Sequence, residues 1–565
     1  MSIKRQTFGS PVGWLTFGFT ALILTAFLIY PMCATLSRAF LNDQGWTLDH
    51  FSMLWNSRIH LTGLMNSLWI GIGVTFVSTV LALPAAIFMT RYQFPGKTLF
   101  GGLLLVPMVL PPFVGAIGIQ RFFALYGSLN IFLLENSWIE EPIQWLSPQS
   151  RLFAVIILEA LHLYPIMYMN LMTTLANLDP SLDECAATLG ASRLQRLKDI
   201  AWPLSRPGFF AGSSIVFIWA LTDLGTPLLA GFHEVAPVQI FTMMTDLQEN
   251  PIGHALVVTL VAFSVGLFTA SKLRQNNQKY QMMGRGHSSS SIINASPLFS
   301  FFICCSLLLL VLTALVPHFG ILLTSLSDEW FMSALPESYT LRHYQMVMEQ
   351  ELPWAGIQNS LYLSAISTLL DLTLGLLISY AIVHKTIPFT RILDALIMLP
   401  LALPGIVLAF GYVSTYTHTW LDPMQNPVPL LVIAYAIRRL PFMVRSCSAG
   451  FQQINRSLEE VSWTLGASKL RTLCMINLPL VTANLIAGGL LCFAYAMLDV
   501  SDSLILAMKE DSWPLTKAIY AICLEPGGGD TIASALGVIG MSILACCILG
   551  ASVLLGQRMG DLFRH

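Results

Sequence analysis

Apolar residues in this chain neither alternate nor line one helical face. They run for about 20 residues at a time and then give way to short polar intervals, and a run of that length spans the roughly 30 Å core of a bilayer as a helix. Such runs lie at about 13–35, 66–90, 99–123, 152–174, 208–231 and 254–271, and again at about 298–325, 359–383, 392–416, 427–448, 483–507 and 531–556. The pattern predicts an all-α polytopic membrane protein of about twelve transmembrane helices. The first run is a full span followed by a long polar segment, so it reads as a membrane helix and not as a cleaved leader.

Composition agrees with the pattern. Charged residues make up 11% of the chain, against about 25% in soluble domains, and mean hydropathy is +0.68. The net charge of −2 says little; the positions of the charges say more. With Lys4 and Arg5 in the cytoplasm, alternation along the runs brings most of the 29 basic residues to the cytoplasmic side, as the positive-inside rule requires. Segment 125–150 falls on the other side with Glu135, Glu140 and Glu141 and no Lys or Arg, and segment 232–253 likewise has none. Both termini are expected in the cytoplasm. The ten cysteines form no C-x-x-C pair and several lie inside apolar runs, where they read as small packing residues.

The runs form two sets of six. A Ser-rich stretch, "GRGHSSSSIINAS", at 284–296 reads as a flexible linker between a half at 1–283 and a half at 297–565. "NSLWIGIGVTF" begins at Asn66 and "NSLYLSAISTL" at Asn359. In the same register Pro107 matches Pro400 and Pro111 matches Pro404; later Pro165 matches Pro441. The first half carries extra residues in its loop near 125–150. Six spans per half keep both halves in one orientation, so the repeat is parallel, about an axis along the membrane normal.

The most specific repeat lies in two of the least hydrophobic stretches. "ECAATLGASRLQRLKDIAWPL" runs over 184–204 and "EVSWTLGASKLRTLCMINLPL" over 460–480. Common to both are Glu184 and Glu460, Gly190 and Gly466, Ala191 and Ala467, Ser192 and Ser468, Ile200 and Ile476, and Pro203 and Pro479. The spacing predicts a helix, a Gly turn, and a second helical segment ended by Pro.

These stretches resemble the EAA loop of binding-protein-dependent ABC transporter permeases, E-A-A-x3-G-x9-I-x-L-P. Ala186 keeps the second Ala; Cys185, Val461, Ser462 and Trp202 depart from the pattern. The resemblance covers nearly the whole chain and implies a type I importer permease with EAA loops at 182–204 and 458–480. It implies that 182–198 and 458–474 dock on two copies of a separate ATP-binding subunit. No G-x-x-x-x-G-K-[ST] phosphate loop is present, so ATP and Mg are expected on that partner, with no cofactor and no catalysis in this chain. A periplasmic binding protein and an inner-membrane location are implied with it. The fused layout is most similar to ferric iron permeases; 2-aminoethylphosphonate and thiamine permeases share it.

Ionisable groups inside spans cost roughly 2.5–3.5 kcal/mol on insertion scales. Asp223 and Asp499 occupy matching places, each four residues after an aromatic, Trp219 and Tyr495. They either line the substrate path with those aromatics or serve structure, by pairing or by capping a helix end. Gly225 and Pro227 break helix regularity beside Asp223. Glu159 and His162 lie one turn apart, close enough that they could pair. Arg438, which matches His162, and Arg439 read as snorkelling or neutralising a neighbour. Asp371, matched by Ser78, has no assigned role. The histidines form no metal-ligand spacing. A secondary transporter of two parallel halves is the rival class, set aside because the repeat concentrates in the EAA loops; no H-E-x-x-H or G-x-S-x-G signature suggests an embedded enzyme.

Overall fold

The computed structural model describes residues 11–42, 44–108, 112–147, 150–176, 178, 180–246, 251–276, 293–386, 389–525 and 528–554. Most of the expected linker, 284–292, and Pro111 lie outside these. Helices dominate. Among the described residues the only strand pairings are Leu41–Asn42 with Gly45–Trp46, antiparallel, and Tyr92–Gln93 with Ile293–Asn294, parallel. The second pairing ties the end of the expected linker to the first half.

Among the described residues ten helices are long and apolar enough to cross a membrane, or eleven if the bent pair Thr390–Leu401 and Gly405–Tyr416 counts as one span. The remaining expected run is the 26-residue helix Val428–Gln453. Its length, about 39 Å at 1.5 Å per residue, suffices, but Arg438, Arg439 and Arg445 make it too charged for the apolar set.

Two further expectations need correction. The third run of each half is not a continuous helix. In the second half it bends by 96° between Thr390–Leu401 and Gly405–Tyr416. Pro404 cannot donate to the ladder and holds Leu403 in an extended conformation (φ −99°, ψ 131°). In the first half Lys97–Leu103 and the single turn Val106–Met108 precede Pro112–Phe123. The fifth run of each half starts and stops earlier than hydropathy suggests: the helices Trp202–Leu221 and Leu478–Met497 end just before Asp223 and Asp499.

Each half packs its second, fourth and fifth spans into a triad: Arg58–Arg91, Arg151–Ala176 and Trp202–Leu221 in the first, Glu351–Val383, Val428–Gln453 and Leu478–Met497 in the second. The first spans cross over. Pro297–Leu326 of the second half packs on Pro112–Phe123 of the first, and Tyr30–Phe40 of the first half packs on Gly405–Tyr416 of the second. Small residues allow the approach. A Cβ on Gly118 would stand 2.5 Å from Pro317 O, and one on the matching Gly411 would stand 3.3 Å from Pro31 O. Pro31 also leaves the carbonyl four residues back without its helical donor; Tyr412 Oη donates to that Phe27 oxygen at 2.7 Å.

The identical dipeptides that open the repeat have a structural task the sequence does not announce. Ser67 Oγ accepts from Ala236 N at 2.9 Å and Ser360 Oγ accepts from Leu515 N at 2.7 Å. Asn66 donates to Glu234 O and Asn359 to Asp511 O. In each half the second span is thereby pinned to the segment that follows the fifth.

Candidate functional site

The repeated loops fold as helix, turn, helix. Pro180–Thr188 and Arg456–Thr464 come first. Gly190 (φ +86°) and Gly466 (φ +84°) then take the left-handed backbone. Ala191 N donates to Ala186 O and Gly190 N to Ala187 O; Ala467 N donates to Ser462 O and Gly466 N to Trp463 O, all at 3.0 Å. This pairing of bonds satisfies carbonyls orphaned at a helix end. Ser192 Oγ accepts from Gln195 N and Ser468 Oγ from Arg471 N, both at 3.3 Å, capping the next helix. Gly-Ala-Ser thus reads in order as helix end, closing donor and next N-cap.

One detail differs from expectation. Pro203 and Pro479 do not end the second segment. The chain runs through widened π-turns, Leu197–Ala201 and Leu473–Asn477, straight into the fifth spans, whose first turns hold the prolines. A proline cannot donate to the helical ladder, and in each loop it stands two residues past the widened turn.

The loops present apolar surface outward. Leu189 and its counterpart Leu465 are 87% and 82% exposed, and Val461 and Leu470 are exposed with them. Glu184 and Glu460 are exposed as well. Ala186, Ala191 and Ala467 are partly covered.

A second constellation lies where the fifth spans break off. Asp223 accepts from Thr226 N at 3.1 Å and Asp499 from Asp502 N at 2.8 Å, so each caps the short helix that follows, Gly225–Leu229 or Ser501–Leu506. The two interruptions meet between the halves: a Cβ on Gly225 would lie 2.7 Å from Val500 Cγ1. Their surroundings differ. Asp499 is buried and bonded to Arg438 Nη1 at 2.8 Å and to Arg439 Nη2. Asp502, also buried, shares Arg438 at 2.9 Å. For Asp499 the geometry is pairing and capping, not an open path, and the arginines neutralise neighbours. Asp223 is partly exposed and has no arginine partner among the described residues. Trp219 is 42% exposed; Tyr495 is partly buried, its ring 5.7 Å from Phe442.

Room for Arg438 comes from Gly405, whose Cβ would stand 2.5 Å from the guanidinium. The matching first-half residues are Pro112 and His162. His162 Nδ1 lies 3.0 Å from Pro107 O, while neither oxygen of buried Glu159 has a hydrogen-bond partner among the described residues. Asp371, fully buried, likewise lacks a hydrogen-bond partner among the described residues. Sequence reasoning missed Asp502, because its first-half counterpart is Thr226 and the repeat gives no acidic match. No group of three or more His, Cys, Asp or Glu among the described residues is arranged to hold a metal ion.

The profile of the binding-protein-dependent transport system inner membrane component family matches residues 78–323 and 349–560. The chain belongs to that family. It is the permease subunit of an ABC importer, a multi-pass membrane protein. A Haemophilus influenzae relative carrying the name "Putative ferric transport system permease protein FbpB 1" is 28% identical over 85% of this chain and 76% of its own. The ferric transport system permease protein FbpB of Actinobacillus pleuropneumoniae is 27% identical over 85% of this permease and 69% of its own length. A solved bacterial ABC transporter for alginate import aligns with 47% of this chain and 96% of its own at TM-score 0.40 and 19% identity.

Proposed function

We propose that this permease carries ferric iron, handed over by a periplasmic binding protein, across the inner membrane with both termini in the cytoplasm. Two copies of a separate ATP-binding subunit supply the energy, one on residues 182–198 and one on 458–474; ATP and Mg bind there, and no cofactor binds this chain. The observation that carries the reading is the pair of matching helix–turn–helix loops, each lifting a leucine into solvent beside its turn glycine. Exposed apolar groups on a rigid, twice-used motif call for a covering partner. The names of the two relatives support ferric iron as the cargo. Asp223, partly exposed where the interruptions meet, is the path residue of this reading, with Trp219 beside it. Asp499 and Tyr495 support it structurally.

The test is reconstitution of permease, ATPase and binding protein in liposomes with radiolabelled ferric iron. Expected is ATP-dependent uptake that vanishes without the binding protein. ATP-dependent uptake of 2-aminoethylphosphonate or thiamine in place of iron would overturn the cargo while leaving the transport class intact.

A further inference from the structure

The residue just before each repeated glutamate is an acid, Asp183 in one loop and Glu459 in the other, and neither belongs to the EAA pattern. Each faces the residue at the inner end of the second span of its own half. Asp183 Oδ1 lies 3.7 Å from Arg91 Nη1, and Asp183 Oδ2 bonds Arg196 at 2.7 Å. Glu459 Oε1 bonds His384 Nε2 at 2.7 Å and accepts from Asn477 Nδ2 at 2.7 Å. Arg91 and His384 are matching residues in the repeat and stand at the inner ends of the second spans, Arg58–Arg91 and Glu351–Val383. The loops join the fourth and fifth spans through the chain itself. This contact adds the second span, the remaining member of each triad.

The contact in the second half is no ordinary surface pair, which contributes about 0–1 kcal/mol. Glu459 is only 4% exposed. The His384 ring stacks on Tyr380 with centroids 4.2 Å apart and meets Phe451 edge-on. Its two nitrogens face acceptors: Nδ1 lies 3.1 Å from Tyr380 O, and Nε2 faces the Glu459 carboxylate. The ring is thus held by its own span through Tyr380 and reaches the loop through Glu459.

We propose that Asp183 and Glu459 are positioning residues for transport, each holding its coupling loop against the second span of its own half, through the charge of Arg91 in the first and a bond to His384 in the second. Motion of an ATPase seated on the loop then moves all three spans of the triad together. This rests on the loops being the ATPase seats.

The test uses the complete transporter in liposomes and reads stimulation of ATP hydrolysis by the binding protein. His384→Ala lowers it roughly 2- to 30-fold, the span of coupling mutations, while the ATPase still co-purifies. His384→Arg, which places the residue type of Arg91 at the matching position and can still bond Glu459, restores stimulation. Asp183→Asn lowers stimulation in the same sense. Parental stimulation in His384→Ala, or no recovery in His384→Arg, overturns the proposal. A cross-link from a cysteine replacing Leu465 to the ATPase separates the two layers. If it fails in otherwise unaltered permease, the seat is wrong and the tether with it; if it forms while His384→Ala behaves as the parent, the tether alone is wrong.

Discussion

Asp223 and Asp499 are the same residue at the same point of the repeat, and their neighbours give them different work. Both cap the helix that follows, but only Asp499 is sealed between two arginines. Removing one partner of a buried ion pair costs about 3–5 kcal/mol, because the other charge stays buried. Asp499→Asn is therefore expected to lower the melting temperature of the purified permease clearly, with transport falling in proportion. Asp223→Asn keeps an acceptor for Thr226 N, so melting stays near the parental value while iron uptake is lost and ATP hydrolysis continues. Iron uptake at the parental rate in Asp223→Asn would remove that residue from the path. The sequence revealed that two acids matched; it did not reveal the difference. That difference is written in Arg438 and Gly405 on one side against His162 and Pro112 on the other, residues far apart in the chain that become neighbours only on folding.

The two repeated loops are the most legible elements, because Gly, Ala and Ser each perform a local backbone task that spacing alone exposes. Gly466 separates two effects. Nothing lies within 4 Å of a Cβ built there, so Gly466→Ala meets only the left-handed backbone penalty of about 1–2 kcal/mol and should transport nearly normally. Gly466→Pro cannot adopt a φ of +84° and should abolish transport while the protein still inserts; comparing uptake with membrane content checks both. Less legible were the broken third spans and the early ends of the fifth. Hydropathy reports that a segment prefers lipid and is blind to where its axis turns. The tether escaped notice for another reason. Matching identical residues passes over Arg91 with His384 and Asp183 with Glu459, which preserve charge type and not identity.

At the scale of the molecule, the exchanged first spans hold the halves together. A Cβ at Gly118 would strike the backbone of Pro317 and crowd that of Ile321, whereas at Gly411 its nearest neighbours stand 3.3 Å away. Overpacking of that kind typically costs 1–3 kcal/mol, so Gly118→Ala should lower the melting temperature more than Gly411→Ala; equal melting curves would mean the contact is looser than described. Orientation can be read independently. Ser457 and Ser137 are both exposed, and cysteines there should react with an impermeant maleimide from opposite faces, Ser457 from the cytoplasm and Ser137 from the periplasm. The exchange also bears on ancestry. Residue for residue, Gly118 on Pro317 and Gly411 on Pro31 form a self-complementary contact, the kind two identical subunits make across a two-fold axis. A contact of that form owes nothing to covalent continuity. Two six-span pieces translated from separate messages should find each other and restore uptake, as a duplicated gene would have required before its copies were joined.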